Sequence, residues 1–302
     1  IKNFFLGQFY DAAHFHGHIA AGIFFQHLQT RIPSIVSVHG FDWETACVNG
    51  FPESGEYVNF LRETALYGID KSTVIHAVSN FVKDKLITYG VPDNKIFVLE
   101  NPIDIQHIQR INPITLPYRF IYISARLNED RGIDIAIRAF ALLKSKFPDL
   151  KLLIAGRGNM RNKMNFRRMA DQLCGKNNVI LLGGIPWANN IAFMAGSNLV
   201  WIPSRLRGTL ASTISLVALE AMALKKPVII SGSREGLEPF FNSFIFENED
   251  PAELARITEI VLNDPILVDK VTKRAFEIPA SRSTEKWASG FKEIIKEATN
   301  GL

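Results

Sequence analysis

The sequence is poor in cysteine and has no long apolar run. Its two cysteines, Cys47 and Cys174, lie far apart, so they form neither a disulfide framework nor a metal-ligand cluster and fit a reducing compartment. The best short apolar run, IAAGIFF at 19–25, is well below the roughly 18 residues that a membrane helix needs. A disulfide scaffold and a membrane-spanning helix are therefore both excluded for these 302 residues.

What the sequence does contain is enough apolar surface for a large core. Hydrophobic residues make up 47% of the chain and charged residues 21%, which excludes a disordered protein. The 20 glycines show no three-residue period, so a collagen-like fold is excluded as well. A chain of 302 residues can form one large globular domain or two modest ones.

Strand-like and helix-like segments alternate along nearly the whole chain. The strand-like runs are continuously apolar, which favours strands buried on both faces of a parallel sheet. Helical spacing appears over 132–147, and a second helix is predicted to start near Asp250 and Pro251. This alternation predicts an α/β fold built from βαβ units. The predicted strands are 34–38, 73–78, 96–99, 119–124, 151–155, 179–182, 198–202 and 227–231.

A break at 112–118, NPITLPY, divides the pattern, because it has two prolines and no helical period. We therefore predict a first lobe over 1–112, a second over 113–285, and a C-terminal helix over 286–302 that packs back towards the first lobe. The first lobe has 8 basic and 11 acidic residues, and the rest of the chain has 26 and 19. A basic second lobe favours an anionic ligand, although ordinary scatter of surface charge explains the same numbers.

The first candidate site is SARLNEDRG at 124–132, directly after a predicted strand. Arg126 and Arg131 stand at a strand–loop–helix junction, where backbone N–H groups already favour an anion. Guanidinium groups can hold phosphate oxygens in a two-pronged geometry. The alternative is a pair of solvated loop arginines.

Two further segments carry weaker signals. Gly156 and Gly158 end a predicted strand, but Arg161 stands where a dinucleotide fingerprint needs its third glycine, so a tight turn explains them equally well. A helix is predicted to start at Ser212 and Thr213, with Leu216, Leu219, Met222 and Ala223 on its buried side. Glu220 lies near its middle among apolar neighbours, where a carboxylate needs a partner or a ligand unless the position is partly exposed.

The order of these motifs resembles the donor-binding half of retaining glycosyltransferases of the GT-B type, family 4. Upstream segments at 11–18, 37–42 and 76–104 are similar to the acceptor lobe of the same family, so the resemblance covers essentially the whole chain. The matching donor-side motifs are Ala125-Arg126-Leu127, Asp130-Arg131-Gly132, Gly156-Arg157-Gly158, Leu182-Gly183-Gly184-Ile185-Pro186, Pro203-Ser204-Arg205 and Leu219-Glu220-Ala221-Met222-Ala223.

The resemblance implies two Rossmann-like lobes facing a cleft and a role for each matching residue. Arg126 and Arg131 would clamp the donor diphosphate, together with the backbone N–H groups of Leu216 and Val217. Glu220 would accept hydrogen bonds from the ribose. The turn formed by Gly183, Gly184 and Ile185 would line the base.

On the acceptor side, the resemblance gives His39 a catalytic place facing the donor sugar. His14, His16, His18 and His76 are interpreted as ordinary structural histidines, since they lack matching carboxylates for a metal site. No cofactor or metal is expected, because the arginines would stabilise the leaving nucleoside diphosphate.

Two features depart from the family pattern. The family has a second glutamate eight residues before Glu220, and here Ser212 occupies that position, with no acidic residue over 206–219. The acceptor lobe also begins at what resembles its fourth strand, so we expect an N-terminally incomplete piece of a longer enzyme.

The leading hypothesis is a metal-independent hexosyltransferase that moves a sugar from a nucleotide-diphosphate donor to a hydroxyl acceptor with retention. The acceptor is a sugar, a lipid-linked molecule or a small molecule, and no nucleic acid is expected. A cytoplasmic location is expected, with peripheral contact at the inner membrane face left open. The alternatives are a degenerate GT-B module that binds without turnover, and another GT-B enzyme such as a phosphorylase or an epimerase.

Overall fold

The chain folds into two units, each built on its own parallel β-sheet. A computed structural model describes residues 10–28, 32–48, 50–205, 213–247 and 249–300. The first unit takes in the described residues up to Pro102 together with Thr213 and the C-terminal helix from Thr284 onward. The second unit takes in Ile103 to Arg205 and Ile214 to Ser283, apart from the residues outside the description.

The first unit is a four-stranded parallel sheet with the strands in chain order. Its strands are β1 (Ala13–His16), β2 (Ser34–Val38), β3 (Val74–Ala77) and β4 (Ile96–Val98). Its helices are α1 (His18–His27), α2 (Asp42–Val48), α3 (Glu56–Lys71), α4 (Asn80–Thr88) and α12 (Thr284–Thr299).

Helices cover this sheet because its central strands are apolar throughout. Every residue of β2 and β3 is buried, as the continuous apolar runs predicted. Helix α12 packs Ile294 and Ala298 against Ile35 and Val74. Helices α1 and α3 lie so close that a Cβ added at Gly22 would stand 1.9 Å from the carbonyl oxygen of Thr64.

The second unit is a six-stranded parallel sheet in the order β10-β9-β8-β5-β6-β7. Its strands are β5 (Phe120–Ser124), β6 (Lys151–Ala155), β7 (Val179–Gly183), β8 (Leu199–Ile202), β9 (Val228–Ser231) and β10 (Phe244–Phe246). Its helices are α5 (Ile105–Gln109), α6 (Ile133–Leu143), α7 (Met160–Cys174), α8 (Trp187–Gly196), α9 (Leu216–Ala223), α10 (Pro251–Asn263) and α11 (Pro265–Ser281).

The strand order of this second sheet reverses between β5 and β8. From β5 the chain adds β6 and β7 on one side, and from β8 it adds β9 and β10 on the other. Loops leaving the carboxyl ends of β5 and β8 therefore diverge, which opens a crevice there. In open parallel sheets this reversal point is where ligands bind.

Several predicted elements are confirmed. All eight predicted strands are present, and α6 buries the apolar positions expected from its spacing. Asp250 caps α10 by accepting hydrogen bonds from the backbone N–H groups of Ala252 and Glu253. Strands β1 and β10 were not among the predicted strands, because β1 alternates apolar residues with histidines and the apolar run of β10 has only three residues.

Two predictions need correction. The helix expected from Ser212 starts at Leu216, because Ser215 is its N-cap and accepts a hydrogen bond from the Ala218 N–H. Leu216 is 50% exposed rather than buried, since it lies in the first turn.

Residues 103–112 were assigned to the first lobe, but they lie in the second unit. The reason is that α5 packs Ile108 into the core of that unit.

Among the described helices, none combines the length and apolarity needed to cross a bilayer.

Candidate nucleotide-binding site

Arg126 leaves the carboxyl end of β5 at the reversal point of the second sheet. The loop that carries it lies beside the loop that follows β6: the Ala125 N–H donates to the Ala155 carbonyl at 2.9 Å, and the Leu127 N–H donates to the Arg157 carbonyl at 2.8 Å. Arg126 is exposed to solvent. The backbone is thus held in place while the guanidinium remains available to a ligand.

Arg131 ends a short 3-10 turn, Glu129–Arg131, in the same loop. Its Nε lies 3.1 Å from the carboxylate of Asp130. Arg234, after the end of β9, is 7% exposed, and burial together with the charge of Arg131 lowers its pKa to about 10. The loops after β5 and β9 therefore bring positive charge together. Sequence reasoning missed Arg234, although its place just after a predicted strand was a usable signal.

Arg205 stabilises the loop after β5 by bonding to neighbouring residues, so its guanidinium is not directed at a ligand. Its guanidinium makes two 2.9 Å hydrogen bonds to Asp134 and an ion pair with Glu249 at 3.1 Å. It also donates to the backbone carbonyl of Glu129, and its own N–H donates to the Asp130 carbonyl at 2.9 Å. Burial would raise the pKa of Asp134, but Arg205 outweighs burial and lowers it.

The glycines of this region are explained by close packing between loops. Gly132 has φ +63°, and a Cβ there would lie 1.9 Å from the Pro203 carbonyl oxygen. A Cβ at Gly156 would lie 1.7 Å from the Ala125 carbonyl oxygen, and one at Gly158 would lie 2.5 Å from the Leu127 Cβ. The Gly156–Gly158 pair therefore lets the loop after β6 approach the Arg126 loop.

Glu220 is a buried carboxylate, only 9% exposed, on α9. Its Oε1 accepts a hydrogen bond from the Trp187 indole at 2.8 Å. Burial raises the pKa of Glu220, and the indole hydrogen bond opposes that effect. Trp187 was not identified as a site residue from the sequence, although it follows the Gly183–Pro186 motif directly.

The first turn of α9 presents backbone donors. Ser215 caps the helix through Ala218, so the N–H groups of Leu216 and Val217 are not used by the cap. Together with the helix dipole, such groups favour an anion.

The segment proposed to line the base follows β7. Gly183 has φ +74°, a left-handed conformation that glycine adopts without strain. Its carbonyl accepts the Gly156 N–H at 2.7 Å. A Cβ at Gly184 would lie 2.6 Å from the Arg157 side chain, and Ile185 packs against the core. Ser212 lies outside the described residues.

His39 follows β2 in the first unit and belongs to a group of four histidines. Its ring stacks on His16 at 5.8 Å and an 11° interplanar angle. Burial and then the proximity of His16 lower the pKa of His39. His14 packs on His16 with ring centroids 4.4 Å apart, and His76 joins the group through Ser37. Three of the four histidines interpreted as structural residues therefore lie together, whereas His18 pairs with Asp42 at 3.6 Å.

A hydrogen-bond chain links these histidines through Ser37. The Leu99 carbonyl can only accept, so His76 Nε2 donates to it at 2.7 Å. The neutral His76 Nδ1 then accepts from Ser37 Oγ at 2.8 Å, and Ser37 Oγ accepts from His14 Nε2 at 2.8 Å. Among the described residues, no group of three or more His, Cys, Asp or Glu is arranged to hold a metal ion.

This histidine group predicts loss of stability in acid. Burial, followed by the charges of His16, His76 and His39, lowers the pKa of His14 to about 4. The unfolded chain binds that proton near pH 6.5, so unfolding is favoured as the pH falls from about 6.5 towards 4. We expect His14→Gln to reduce the difference between the thermal midpoints at neutral and acid pH. His27→Gln, on the exposed end of α1, is the control, and an equal reduction by both would contradict the prediction.

Two parallel-sheet units, the second with an anion-favouring crevice at its sheet reversal, match the GT-B fold of solved glycosyltransferase structures. The model of the family "Glycosyl transferases group 1" matches residues 104–278, and that of "Glycosyltransferase Family 4" matches residues 4–107. The first match covers more than half of the chain. The chain therefore belongs to the group 1 glycosyltransferases.

The chain is also similar in sequence to proteins that are named as glycosyltransferases. An uncharacterized glycosyltransferase of Methanocaldococcus jannaschii is 33% identical over 162 residues, covering 49% of this chain and 38% of the relative. The N-acetylgalactosamine-N,N'-diacetylbacillosaminyl-diphospho-undecaprenol 4-alpha-N-acetylgalactosaminyltransferase of Campylobacter jejuni is 27% identical over 163 residues, covering 53% and 41%. The matches thus span about two fifths of these relatives' own length.

A solved structure supports the fold. The Anabaena protein HepE, crystallised in complex with UDP and glucose, is 19% identical, with a TM-score of 0.77. The likeness covers 95% of this chain and 78% of HepE. At this identity the likeness concerns the fold alone.

Proposed function

We propose that the chain is a hexosyltransferase that moves a sugar from a nucleoside-diphosphate donor to a hydroxyl acceptor with retention of configuration. One observation carries the proposal. Arg126 and Arg131 leave the strand at the reversal of the second sheet, in the same unit as the buried carboxylate of Glu220. This combination offers cations for a diphosphate and an acceptor for a ribose hydroxyl.

Arg126 and Arg131 are proposed to bind the diphosphate. Each guanidinium can make charge-assisted hydrogen bonds to phosphate oxygens, and the N–H groups of Leu216 and Val217 add backbone donors. As the sugar bond breaks, negative charge grows on the departing diphosphate, and fixed cations stabilise that charge most. We propose that these groups perform this role without a metal ion.

The rest of the donor is assigned from neighbouring groups. Glu220 Oε1 already has a partner, which leaves Oε2 to accept a hydrogen bond from the ribose. We assign the base to the turn of Gly183, Gly184 and Ile185, where the glycines let a planar ring approach the backbone.

His39 is proposed as the catalytic residue that contacts the transferred sugar. Its lowered pKa keeps the imidazole neutral near pH 7, so one ring nitrogen donates and the other accepts. The acceptor is proposed to be a lipid-linked sugar, as in the name of the Campylobacter jejuni relative. Work on such an acceptor would occur in the cytoplasm with peripheral membrane contact, and the free thiols of Cys47 and Cys174 fit that compartment.

A binding module without turnover is the second candidate. It is favoured by Ser212, which stands eight residues before Glu220 where the family has a glutamate. Both candidate functions include donor binding, but only the transferase turns over the donor.

Donor hydrolysis separates them. UDP-glucose, UDP-N-acetylglucosamine and GDP-mannose are incubated with the chain, and released sugar is followed by proton NMR. We expect one donor to release sugar first as the α anomer, which reports retention, and the Arg126→Ala/Arg131→Ala variant to release none above background. First appearance of the β anomer would contradict retention. Tight donor binding with only background hydrolysis would favour the binding module.

A further inference from the structure

The carboxylate of Glu220 is held from one side only. Trp187 Nε1 donates to Oε1 at 2.8 Å, and no group in the described part of the chain donates to Oε2 within hydrogen-bonding distance. Glu220 is 9% exposed as a residue, and its unpartnered Oε2 keeps some access to solvent, so water or a ligand can supply the second donor. One oxygen is therefore fixed by the protein and the other is left for a ligand.

Trp187 is in turn held by its surroundings. It begins α8, and its ring stacks on that of His107 with centroids 5.2 Å apart. His107 lies on α5, whose N-cap Asp104 accepts the His107 N–H at 2.9 Å. Gln109 of the same helix donates to the Ala223 carbonyl at the end of α9 at 3.1 Å. Helices α5, α8 and α9 are thus connected around the indole.

We propose that Trp187 is a positioning residue for the donor ribose: its indole N–H fixes Glu220 Oε1 so that Oε2 accepts a hydrogen bond from a ribose hydroxyl of a nucleoside diphosphate. The inference rests on the proposed function, because it presupposes that a nucleotide occupies this site. It adds to that function a residue that acts through Glu220.

The indole hydrogen bond also favours the ionised form of the Glu220 carboxylate. Burial favours the neutral acid, and a hydrogen bond to the charged form opposes that preference. The titratable groups on neighbouring elements are the Tyr122 phenol of β5 and, behind the indole, His107 of α5. Tyr122 donates to Asn190 at 2.7 Å rather than to Glu220. Losing the indole N–H therefore raises the pKa of Glu220 further, and the acid form offers a weaker acceptor to the ribose.

Nucleotide affinity of Trp187→Phe provides the first measurement. This change keeps the aromatic stack and removes the N–H, and we expect the Kd for UDP or GDP, whichever binds more tightly, to rise about ten-fold. Trp287→Phe is the matched control on α12, since the described structure gives its indole N–H no hydrogen-bond partner. Its Kd should stay within about two-fold of the unmodified chain.

The pH profile separates positioning from a general structural role. It is measured with the corresponding nucleotide sugar, because a diphosphate diester has no secondary phosphate ionisation. We expect the acid limb of binding to lie at higher pH in Trp187→Phe than in the unmodified chain, and to stay in place in Trp287→Phe. In a Glu220→Ala background, Trp187→Phe should cause little further loss, because the group through which it acts is gone.

The possible results distinguish failure of the Trp187 inference from failure of the proposed function. Equal affinity of Trp187→Phe and Trp287→Phe for a nucleotide that binds the unmodified chain would overturn this inference and leave the proposed function intact. So would a weakened Trp187→Phe whose acid limb does not move, or whose loss persists in the Glu220→Ala background. Absence of any UDP or GDP binding by the unmodified chain would overturn the proposed function and this inference together.

Discussion

The Arg126→Ala/Arg131→Ala variant is expected to bind nucleoside diphosphate at least about 100-fold more weakly than the unmodified chain. A hydrogen bond to a charged group contributes about 1.5–3 kcal/mol, and two such guanidinium contacts are lost together. The second sheet places both side chains in the loop after β5, so the variant removes both guanidinium groups from one loop. Titration calorimetry with UDP and GDP measures the change.

A control of equal charge isolates the site from general electrostatics. Arg167→Ala/Arg168→Ala removes two charges from the exposed face of α7, and screening at physiological salt should limit its effect to about two-fold. Arg131→Lys keeps the charge and should lose about five-fold or less. Equal losses in the two double variants would show that net charge, not the Arg126 loop, governs affinity.

Gly132→Ala is expected to destabilise the second unit by about 3 kcal/mol. A left-handed backbone conformation costs a residue with a Cβ roughly 1–2 kcal/mol, and overlap with packed neighbours costs about 1–3 kcal/mol more. At Gly132 both apply, because φ is +63° and the added Cβ would lie 1.9 Å from the Pro203 carbonyl oxygen. Since the residue follows Arg131 directly, nucleotide affinity should fall too. Urea unfolding and calorimetry report the two effects.

Gly236→Ala is the matched control for this prediction. Gly236 has φ +80° but nothing within 4 Å of an added Cβ, so only the conformational cost of about 1–2 kcal/mol applies. Nucleotide affinity should be nearly unchanged in this variant. If both glycine variants unfold at the same urea concentration, close packing against Pro203 contributes nothing.

Fold class was predictable because buried parallel strands read as continuous apolar runs. Segments such as SIVSV and KLLIA can be recognised as strands without knowing which strands they pair with. Because helices alternate with these strands, the sheet is expected to be parallel. The two strands that sequence reasoning missed lack such a run: β1 alternates apolar residues with histidines, and β10 offers only three apolar residues. The start of α9 was misplaced because Ser212, Thr213 and Ser215 are all good caps, and only backbone geometry distinguishes them.

The candidate site was only partly predictable. Arg126, Arg131 and Glu220 were identified as candidates from their positions after a strand or within an apolar helix and from the family motifs that contain them, and their binding roles stay predictions. Arg234 and Trp187 were missed because their importance depends on contacts between distant segments: the Arg234 loop approaches Arg131, and Trp187 meets Glu220 across two helices. The chain linking His14, Ser37 and His76 was missed for the same reason, since it joins three different strands.

A crystal structure of the chain in complex with UDP would show whether the loop after β5 binds the diphosphate. We expect diphosphate oxygens within hydrogen-bonding distance of the guanidinium groups of Arg126 and Arg131, and a ribose hydroxyl within hydrogen-bonding distance of Glu220 Oε2. A nucleotide bound away from the reversal point of the second sheet, or one whose ribose does not contact Glu220, would contradict it.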